Sequence, residues 1–268
     1  GLPHYLKQFD DSLSLGENIR RNILSRGSIL YSEVEFLMRQ ELRETATYNA
    51  IIEAVAMGST RMNDIYQKTQ IEKTKLSSYL KNLIDLGILL REFSIADGIK
   101  AQANIQRGLY KVTDSFFRFW YAFVFPNLSE LEAGDVEGIW RYAVEPELDR
   151  YTSYVFEDVC RQYLRRQNQK NALPFRFTQI GRWWNKTDEL DIMVTDQKKS
   201  NFLLGECKYK NAAFDLSDLT KMQEKFTLKN KNGRLYYWLF SKSDFTDEVV
   251  CAATEQNIHL VTAEQLIE

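Results

Sequence analysis

The sequence has 268 residues, of which 44% are apolar and 27% charged, and its formal net charge is −2. These values are typical of a soluble globular protein with one large domain or two to three small ones, and they argue against a generic polyanion binder. Charge is uneven, because residues 161–234 carry 16 Lys and Arg against 8 Asp and Glu, a pattern compatible with a nucleic-acid face or with ordinary solvated surface.

Residues 1–44 are rich in helix formers and are predicted to be helical. Residues 45–113 contain three predicted helices, two of which stop at Gly58 and Gly87, and then two strands around a loop. Three helices followed by a hairpin is the winged-helix pattern, in which the third helix enters the DNA groove. That helix would offer Lys73, Lys75 and Lys81 to DNA. The alternative is a winged helix that mediates only protein contacts.

The stretch "DSFFRFWYAFVFPN" opens a predicted aromatic helical linker over residues 114–146. A helix that is apolar on all sides is typically buried, so we interpret it as a core or inter-domain helix. Its apolar run is too short to span a bilayer and contains Arg118, so we expect no membrane association.

Residues 147–268 are predicted to form a separate domain with a mixed sheet covered on both faces. A long helix at residues 147–167 comes first, and the remaining elements give the order αβββαβ followed by αβ. The three strands before the next helix are predicted at Phe175–Ile180, Glu189–Val194 and Phe202–Tyr209. The next helix is predicted at Leu216–Asn230 and the next strand at Arg234–Phe240.

The hairpin "DELDIMVTDQKKSNFLLGECKYK" carries charged groups inside apolar strands, which is costly unless they are paired or bind a metal. Glu206 and Lys208 are two residues apart and share a face of their strand, and antiparallel pairing can bring Asp191 beside Glu206. Mg²⁺ prefers oxygen ligands and one or two carboxylates, which Asp191, Glu206 and the Cys207 carbonyl would supply.

Lys208 would then orient the attacking water or stabilise the phosphate, and Glu157 on the long helix would add an outer carboxylate. The alternative is an ordinary ion pair on the sheet surface. Lys221, Lys225 and Lys229 are spaced four apart on the next predicted helix, so they predict a stripe that either tracks phosphates or faces water.

Glu157, Asp191 and Glu206-Cys207-Lys208 in this element order resemble the PD-(D/E)XK nuclease superfamily, which includes restriction endonucleases. Over almost its whole length the chain also resembles the C-terminal part of archaeal-type AAA+ (STAND-like) ATPases. The stretches that carry this resemblance are "GLPHYL", "YSEVEFLMRQELRE", "FFRFWYAFVFPN" and "ELDIMV…GECKYK". The resemblance implies a nuclease fold that uses Mg²⁺ or Mn²⁺, acts on DNA under an ATPase, and can dimerise.

Two features depart from these families. The sequence before Asp191 is "ELD", with no Pro, so the first nuclease motif is degenerate. No GxxxxGK followed by Ser or Thr occurs, so the ATPase module lies outside these residues and this chain is not expected to hydrolyse ATP.

The sequence thus predicts a mixed α+β protein, with a mainly helical N-terminal part including a winged helix, and a restriction-endonuclease-like domain after it. Three cysteines without a CxxC pair and only two histidines favour a reducing cytoplasm and argue against a zinc site or a Ser-His-Asp triad. The leading hypothesis is a metal-dependent nuclease. The alternatives are a non-catalytic module that binds nucleic acid or docks to an ATPase, and a winged-helix transcription regulator.

Overall fold

The computed structural model describes residues 3–98, 104, 107–226, 233–256 and 258–267. The chain divides into two compact units, with Gly1–Phe93 and Gln102–Leu148 in unit 1 and Ser94–Ala101 and Asp149–Glu268 in unit 2. Helices dominate the N-terminal part and a sheet the C-terminal part, which confirms the mixed α+β class. Apart from Ser94–Ala101, which belongs to unit 2, the segments predicted as 1–44, 45–113 and 114–146 lie together in unit 1. The boundary predicted at 147 lies close to the division after Leu148.

Unit 1 consists of short helices and one two-stranded sheet. Its helices are α1 (Pro3–Leu6), α2 (Leu15–Ile19), α3 (Ile29–Glu41), α4 (Thr45–Ala56), α5 (Met62–Thr69), α6 (Lys73–Asp85), α7 (Ser115–Phe119), α8 (Leu128–Glu132) and α9 (Val136–Ile139). Single π-helical turns follow α2, α7 and α9 at Arg20–Leu24, Trp120–Val124 and Trp140–Val144. The strands β1 (Leu89–Glu92) and β2 (Leu109–Val112) pair antiparallel. In the described ranges no helix is long and apolar enough to cross a membrane.

Two glycines end helices of unit 1 where the sequence predicts. Gly58 follows α4 with φ of +102°, and Gly87 follows α6 with φ of +73°. Only glycine adopts this left-handed conformation without a steric penalty, so both turns depend on the missing Cβ.

The aromatic segment after β2 forms part of the core of unit 1. Trp120 and Tyr121 are buried. The Trp120 indole N–H donates to the Tyr31 carbonyl at 2.7 Å, and the Tyr121 hydroxyl donates to Asn49 Oδ1 at 2.7 Å. These bonds satisfy the polar atoms of two large buried side chains, so the segment predicted as a linker belongs to the core of unit 1.

Unit 2 contains a five-stranded sheet in the order β3-β4-β5-β6-β7. Its elements are α10 (Glu145–Gln169, which begins in unit 1), β3 (Gln179–Trp184), β4 (Glu189–Thr195), β5 (Asn201–Lys208), α11 (Leu216–Glu224), β6 (Arg234–Ser241), α12 (Asp247–Gln256) and β7 (His259–Thr262). Pairing is antiparallel from β3 to β5 and parallel from β5 to β7. The predicted order of helices and strands is confirmed.

Apolar side chains cover both faces of this sheet. On one face Phe156, Cys160 and Leu164 of α10 pack with residues of the central strands. On the other face Leu219 and Met222 of α11 pack with residues of α12 and with the strand side chains that point to that face. Successive residues of β5 therefore pack into two different clusters, Leu203 into the first and Leu204 into the second.

The close approach of β4 and β6 around Gly205 leads to a first prediction. A Cβ at this position would lie 2.9 Å from Ile192 Cβ and 3.4 Å from Phe240 Cε2. We therefore expect Gly205→Ala to lower the free energy of unfolding of unit 2 by about 1–3 kcal/mol, the usual cost of overpacking a core. Urea denaturation measures this loss. Gly98→Ala is the matched control, because no atom of the described residues lies within 4 Å of a Cβ there. An equal loss in both variants would contradict the packing argument.

Candidate active site

The hairpin of β4 and β5 brings the two predicted acidic residues together. Ile192 pairs with Gly205 in the antiparallel ladder, and continuing this register by one step places Asp191 opposite Glu206. Side chains of directly opposed residues lie on the same face, about 5 Å apart at Cβ. Asp191 Oδ2 also accepts a hydrogen bond of 2.8 Å from the Cys207 N–H, which fixes this carboxylate at the end of the ladder.

Both carboxyl groups lie in surroundings that disfavour their charge. Burial raises the pKa of Asp191, although the Cys207 N–H and the cations Arg182 and Lys225 oppose the shift. Burial also raises the pKa of Glu206, and the negative charge of Asp191 raises it further. Neighbouring buried acids whose pKa values are both raised are typical of functional sites.

Two lysines approach the Glu206 carboxylate. Lys225 Nζ lies 3.0 Å from Glu206 Oε2, and Lys208 Nζ lies 3.5 Å from Glu206 Oε1. Lys208 Nζ also lies 3.4 Å from Asp218 Oδ1 on α11, and Lys210 Nζ lies 3.0 Å from Asp218 Oδ2. Burial lowers the pKa of Lys208, but Glu206 and Asp218 outweigh burial and raise it, so this lysine stays charged.

The structure places Glu157 in a separate cluster of charges on α10 and β3. Its Oε2 lies 3.6 Å from Arg161 Nη1 and 3.8 Å from Arg182 Nε. Arg161 Nη1 in turn donates to the backbone carbonyl of Asp191 at 2.9 Å. Glu157 is thus linked to the acidic pair through Arg161, which holds the strand that carries Asp191.

Three contributors to this site were not predicted from the sequence. Arg161 lies four residues after Glu157 on one helix, a spacing that signals an ion pair. Arg182 lies at an irregularity in the pairing of β3 and β4, between Gly181 and Trp183, and no sequence pattern marks it. Asp218 lies in the first turn of α11, and its backbone N–H donates to the side chain of Asp215, the N-capping residue. In the sequence, this capping Asp three residues earlier is the signal that places Asp218 at the start of a helix.

The lysines predicted to bind nucleic acid lie in different surroundings. On α6, Lys75 and Lys81 are exposed, and Lys73 Nζ lies 3.2 Å from Asn63 Oδ1. On α11, Lys221 is exposed, whereas Lys225 contacts Glu206. The last residue of that predicted stripe, Lys229, lies outside the described residues. A phosphate-tracking stripe therefore remains a prediction, and Lys225 belongs to the acidic site.

The donor set suits a hard divalent cation. Mg²⁺ is usually held by one or two carboxylates while water and substrate phosphate complete its shell, and Asp191 and Glu206 supply two adjacent carboxylates. Within the described ranges no group of three or more His, Cys, Asp and Glu side chains gathers to hold a metal. These residues thus suit a Mg²⁺ site with few protein ligands, in which water and substrate would fill the remaining positions. The Cys207 carbonyl would add one protein oxygen.

The raised pKa of Asp191 leads to a second prediction. A buried acid whose pKa is raised in the folded state destabilises that state when ionised, and this penalty disappears as pH falls through the folded pKa. We expect Asp191→Asn to melt at a higher temperature than wild type at pH 7 in EDTA. The Asn side chain can still accept from the Cys207 N–H. The gain should shrink toward pH 4, and thermal melts of both proteins across this range measure it. A gain that grows as pH falls would contradict the argument.

Comparison with known proteins identifies relatives of unknown function. The family DUF234, described as "Archaea bacterial proteins of unknown function", matches residues 120–226, which include the second half of the aromatic segment and the acidic hairpin. The uncharacterized protein MJECL04 of Methanocaldococcus jannaschii is 33% identical over 213 residues, or 79% of this chain and 46% of the relative. The chain thus spans about half the length of that relative.

One solved structure aligns with the chain with low structural similarity. The crystal structure of protein VC1899 from Vibrio cholerae aligns over 99% of this chain and 54% of its own, with 13% identity and a TM-score of 0.28. That score is too low to assign a shared fold.

Proposed function

We propose that this chain is a metal-dependent phosphodiesterase that cuts nucleic acid, with DNA as the favoured substrate. Its active site would consist of Asp191, Glu206 and Lys208. The observation that carries the proposal is their convergence, with opposed carboxylates on β4 and β5 and Lys208 Nζ 3.5 Å from Glu206. The order αβββαβ and the mixed sheet support a restriction-endonuclease-like fold for unit 2. Three helices followed by an antiparallel strand pair support a winged helix in unit 1.

Each residue has a physical role in this mechanism. Asp191 and Glu206 would hold Mg²⁺ or Mn²⁺, and when bound the ion supplies positive charge that polarises the phosphodiester and activates water. Lys208 stays protonated between Glu206 and Asp218 and offers its ammonium to the phosphate oxygens, where negative charge develops. Arg161 fixes the Asp191 backbone, so the first carboxylate keeps its position.

Plasmid nicking tests the proposal. Wild-type protein with Mn²⁺ or Mg²⁺ should convert supercoiled plasmid to open circles, and EDTA should stop the reaction. Asp191→Asn should be inactive, whereas Glu255→Gln, which removes an exposed acid on α12, should nick at the wild-type rate. Equal nicking by the Asp191→Asn variant and wild type would contradict the site.

A second candidate function is a non-catalytic module that binds nucleic acid or docks to an ATPase. It is favoured by one observation, that Glu206 is buried and already contacts two lysine ammonium groups. The resemblance of the chain to the C-terminal part of AAA+ ATPases supports an ATPase partner in either case. Absent nicking together with retained duplex binding would favour this function, and binding by unit 1 alone would favour a winged-helix regulator.

The proposed nucleic-acid contact of α6 leads to a third prediction. Lys75 and Lys81 are exposed on this helix, and each phosphate they neutralise would release condensed counterions. Changing both to Ala should weaken duplex binding similarly for all sequences and flatten the plot of log affinity against log salt by about two units at most. Fluorescence anisotropy at several salt concentrations measures this. A double variant with wild-type affinity and slope would exclude α6 from the interface.

A further inference from the structure

Lys225, rather than the lysine of the Glu-Cys-Lys motif, makes the shortest contact with the second acid. Its Nζ lies 3.0 Å from Glu206 Oε2 and 3.3 Å from Glu206 Oε1, so one ammonium contacts both oxygens of the carboxylate. Lys208 lies farther, at 3.5 Å, and is shared with Asp218. The two lysines therefore differ, because Lys208 lies between two acids and Lys225 contacts both oxygens of one.

The backbone around Lys225 is fixed next to the sheet. Helix α11 ends at Glu224, and Lys225 follows it as the capping residue. The next residue, Phe226, packs its ring 5.5 Å from that of Trp183 on β3 and 5.6 Å from that of Phe202 on β5. These contacts hold the turn after α11 against the sheet, and from there the Lys225 ammonium reaches Glu206, whereas Lys221 is exposed.

A divalent cation bound by Asp191 and Glu206 would compete with this ammonium for the Glu206 carboxylate. An ion held by Asp191 and Glu206 would bring positive charge to the oxygens that Lys225 contacts, and like charges at this distance repel strongly in a half-buried site. Lysine carries its charge on a flexible four-carbon stem, so the ammonium can leave the carboxylate without moving the helix. A phosphate oxygen of a bound substrate is the anion that would then receive it.

We propose that Lys225 is a second substrate-positioning lysine of this site. It neutralises Glu206 while the site holds no metal, and it contacts the phosphate to be cut once a divalent cation takes the carboxylate. This inference rests on the proposed metal site at Asp191 and Glu206. It adds a residue on α11 to the residues on the hairpin.

Two substitutions test the inference with Mn²⁺ as the probe. Lys225→Met keeps the stem and removes the charge, so it should bind Mn²⁺ roughly three- to tenfold more tightly in calorimetric titration, the scale of one partly exposed ion pair. Cleavage at saturating Mn²⁺ should fall about a hundredfold, as for loss of one charge-stabilising donor. Lys225→Arg should restore part of the cleavage, because a guanidinium also binds phosphate. Lys198→Ala removes a lysine from the exposed β4–β5 turn and should change neither value.

Each outcome separates this inference from the proposed function. If wild type binds Mn²⁺ and Lys225→Met binds it no more tightly and cleaves normally, the inference is wrong and the metal site stands. If wild type binds no Mn²⁺, the metal site itself is wrong, and the inference fails with it. Circular dichroism of every variant shows whether it folds, and if Lys225→Met does not, Lys225→Gln replaces it with the same expected changes.

Discussion

Replacing Asp191 with Ala is expected to abolish both Mn²⁺ binding and phosphodiester cleavage. The carboxylate is one of two that would hold the ion, and a metal that stabilises transition-state charge is worth several kcal/mol, or a loss of about a thousandfold in rate. Glu206→Gln should have the same double effect. Lys208→Ala should retain Mn²⁺ binding and lose cleavage, because its ammonium acts on the phosphate.

Calorimetric titration with Mn²⁺ and initial cleavage rates measure the two effects separately. The Glu255→Gln variant serves as the control, because it removes one acidic charge from an exposed position of the same unit. Unchanged Mn²⁺ affinity in both the Asp191→Ala and Glu206→Gln variants would show that the ion binds elsewhere.

Arg161→Met is expected to lower the free energy of unfolding by about 3–5 kcal/mol, more than any other substitution considered for this protein. The Arg161 side chain is only 10% exposed and lies 3.6 Å from Glu157, whose side chain is 12% exposed. Removing it leaves a buried carboxylate with less compensation and deprives the Asp191 carbonyl of a donor. Such a loss exceeds that of most surface substitutions.

Urea denaturation of the Arg161→Met variant measures this loss. Asp158→Asn is the matched control, because Asp158 contacts the same guanidinium from a side chain that is 64% exposed, and its loss should cost less than about 1 kcal/mol. Similar unfolding midpoints for the Arg161→Met variant and wild type would mean that Glu157 and the hairpin do not depend on this arginine.

The acidic hairpin illustrates what the sequence could predict. The apolar run before "TDQKK" and the run after it have strand-like composition, and the polar residues between them form the turn. Alternation along each strand then determined that Glu206 and Lys208 share a face. Because these rules are local, the predicted strands at Glu189–Val194 and Phe202–Tyr209 match β4 and β5 to within one residue.

The first strand shows where such rules fail. A strand was predicted at Phe175–Ile180, but β3 runs over Gln179–Trp184. Phe177 is buried without being in a strand, and its N–H donates to the Asn168 side chain at 3.0 Å instead of a ladder partner. Apolar composition indicated burial correctly, but a tertiary hydrogen bond determined the backbone, and this could not be inferred from the sequence.

The position of Lys225 could not be predicted for a similar reason. Its spacing of four residues from Lys221 predicts only that the two lysines lie on one stripe of a helix, not what that stripe contacts. Helix α11 ends at Glu224, and Lys225 lies in the turn that follows, with its ammonium at Glu206, whereas Lys221 is exposed. The packing of Phe226 between Trp183 and Phe202 accompanies this turn, and these contacts join residues far apart in sequence.

The central claim is that Asp191 and Glu206 together hold a divalent cation, and anomalous diffraction from crystals soaked in Mn²⁺ tests it most directly. We predict an anomalous difference peak between the two carboxylates, with the Lys225 ammonium displaced from Glu206, and no such peak in crystals of the Asp191→Asn variant. A fully soaked wild-type crystal with no peak at this position, or with its strongest peak at other residues, would contradict the claim.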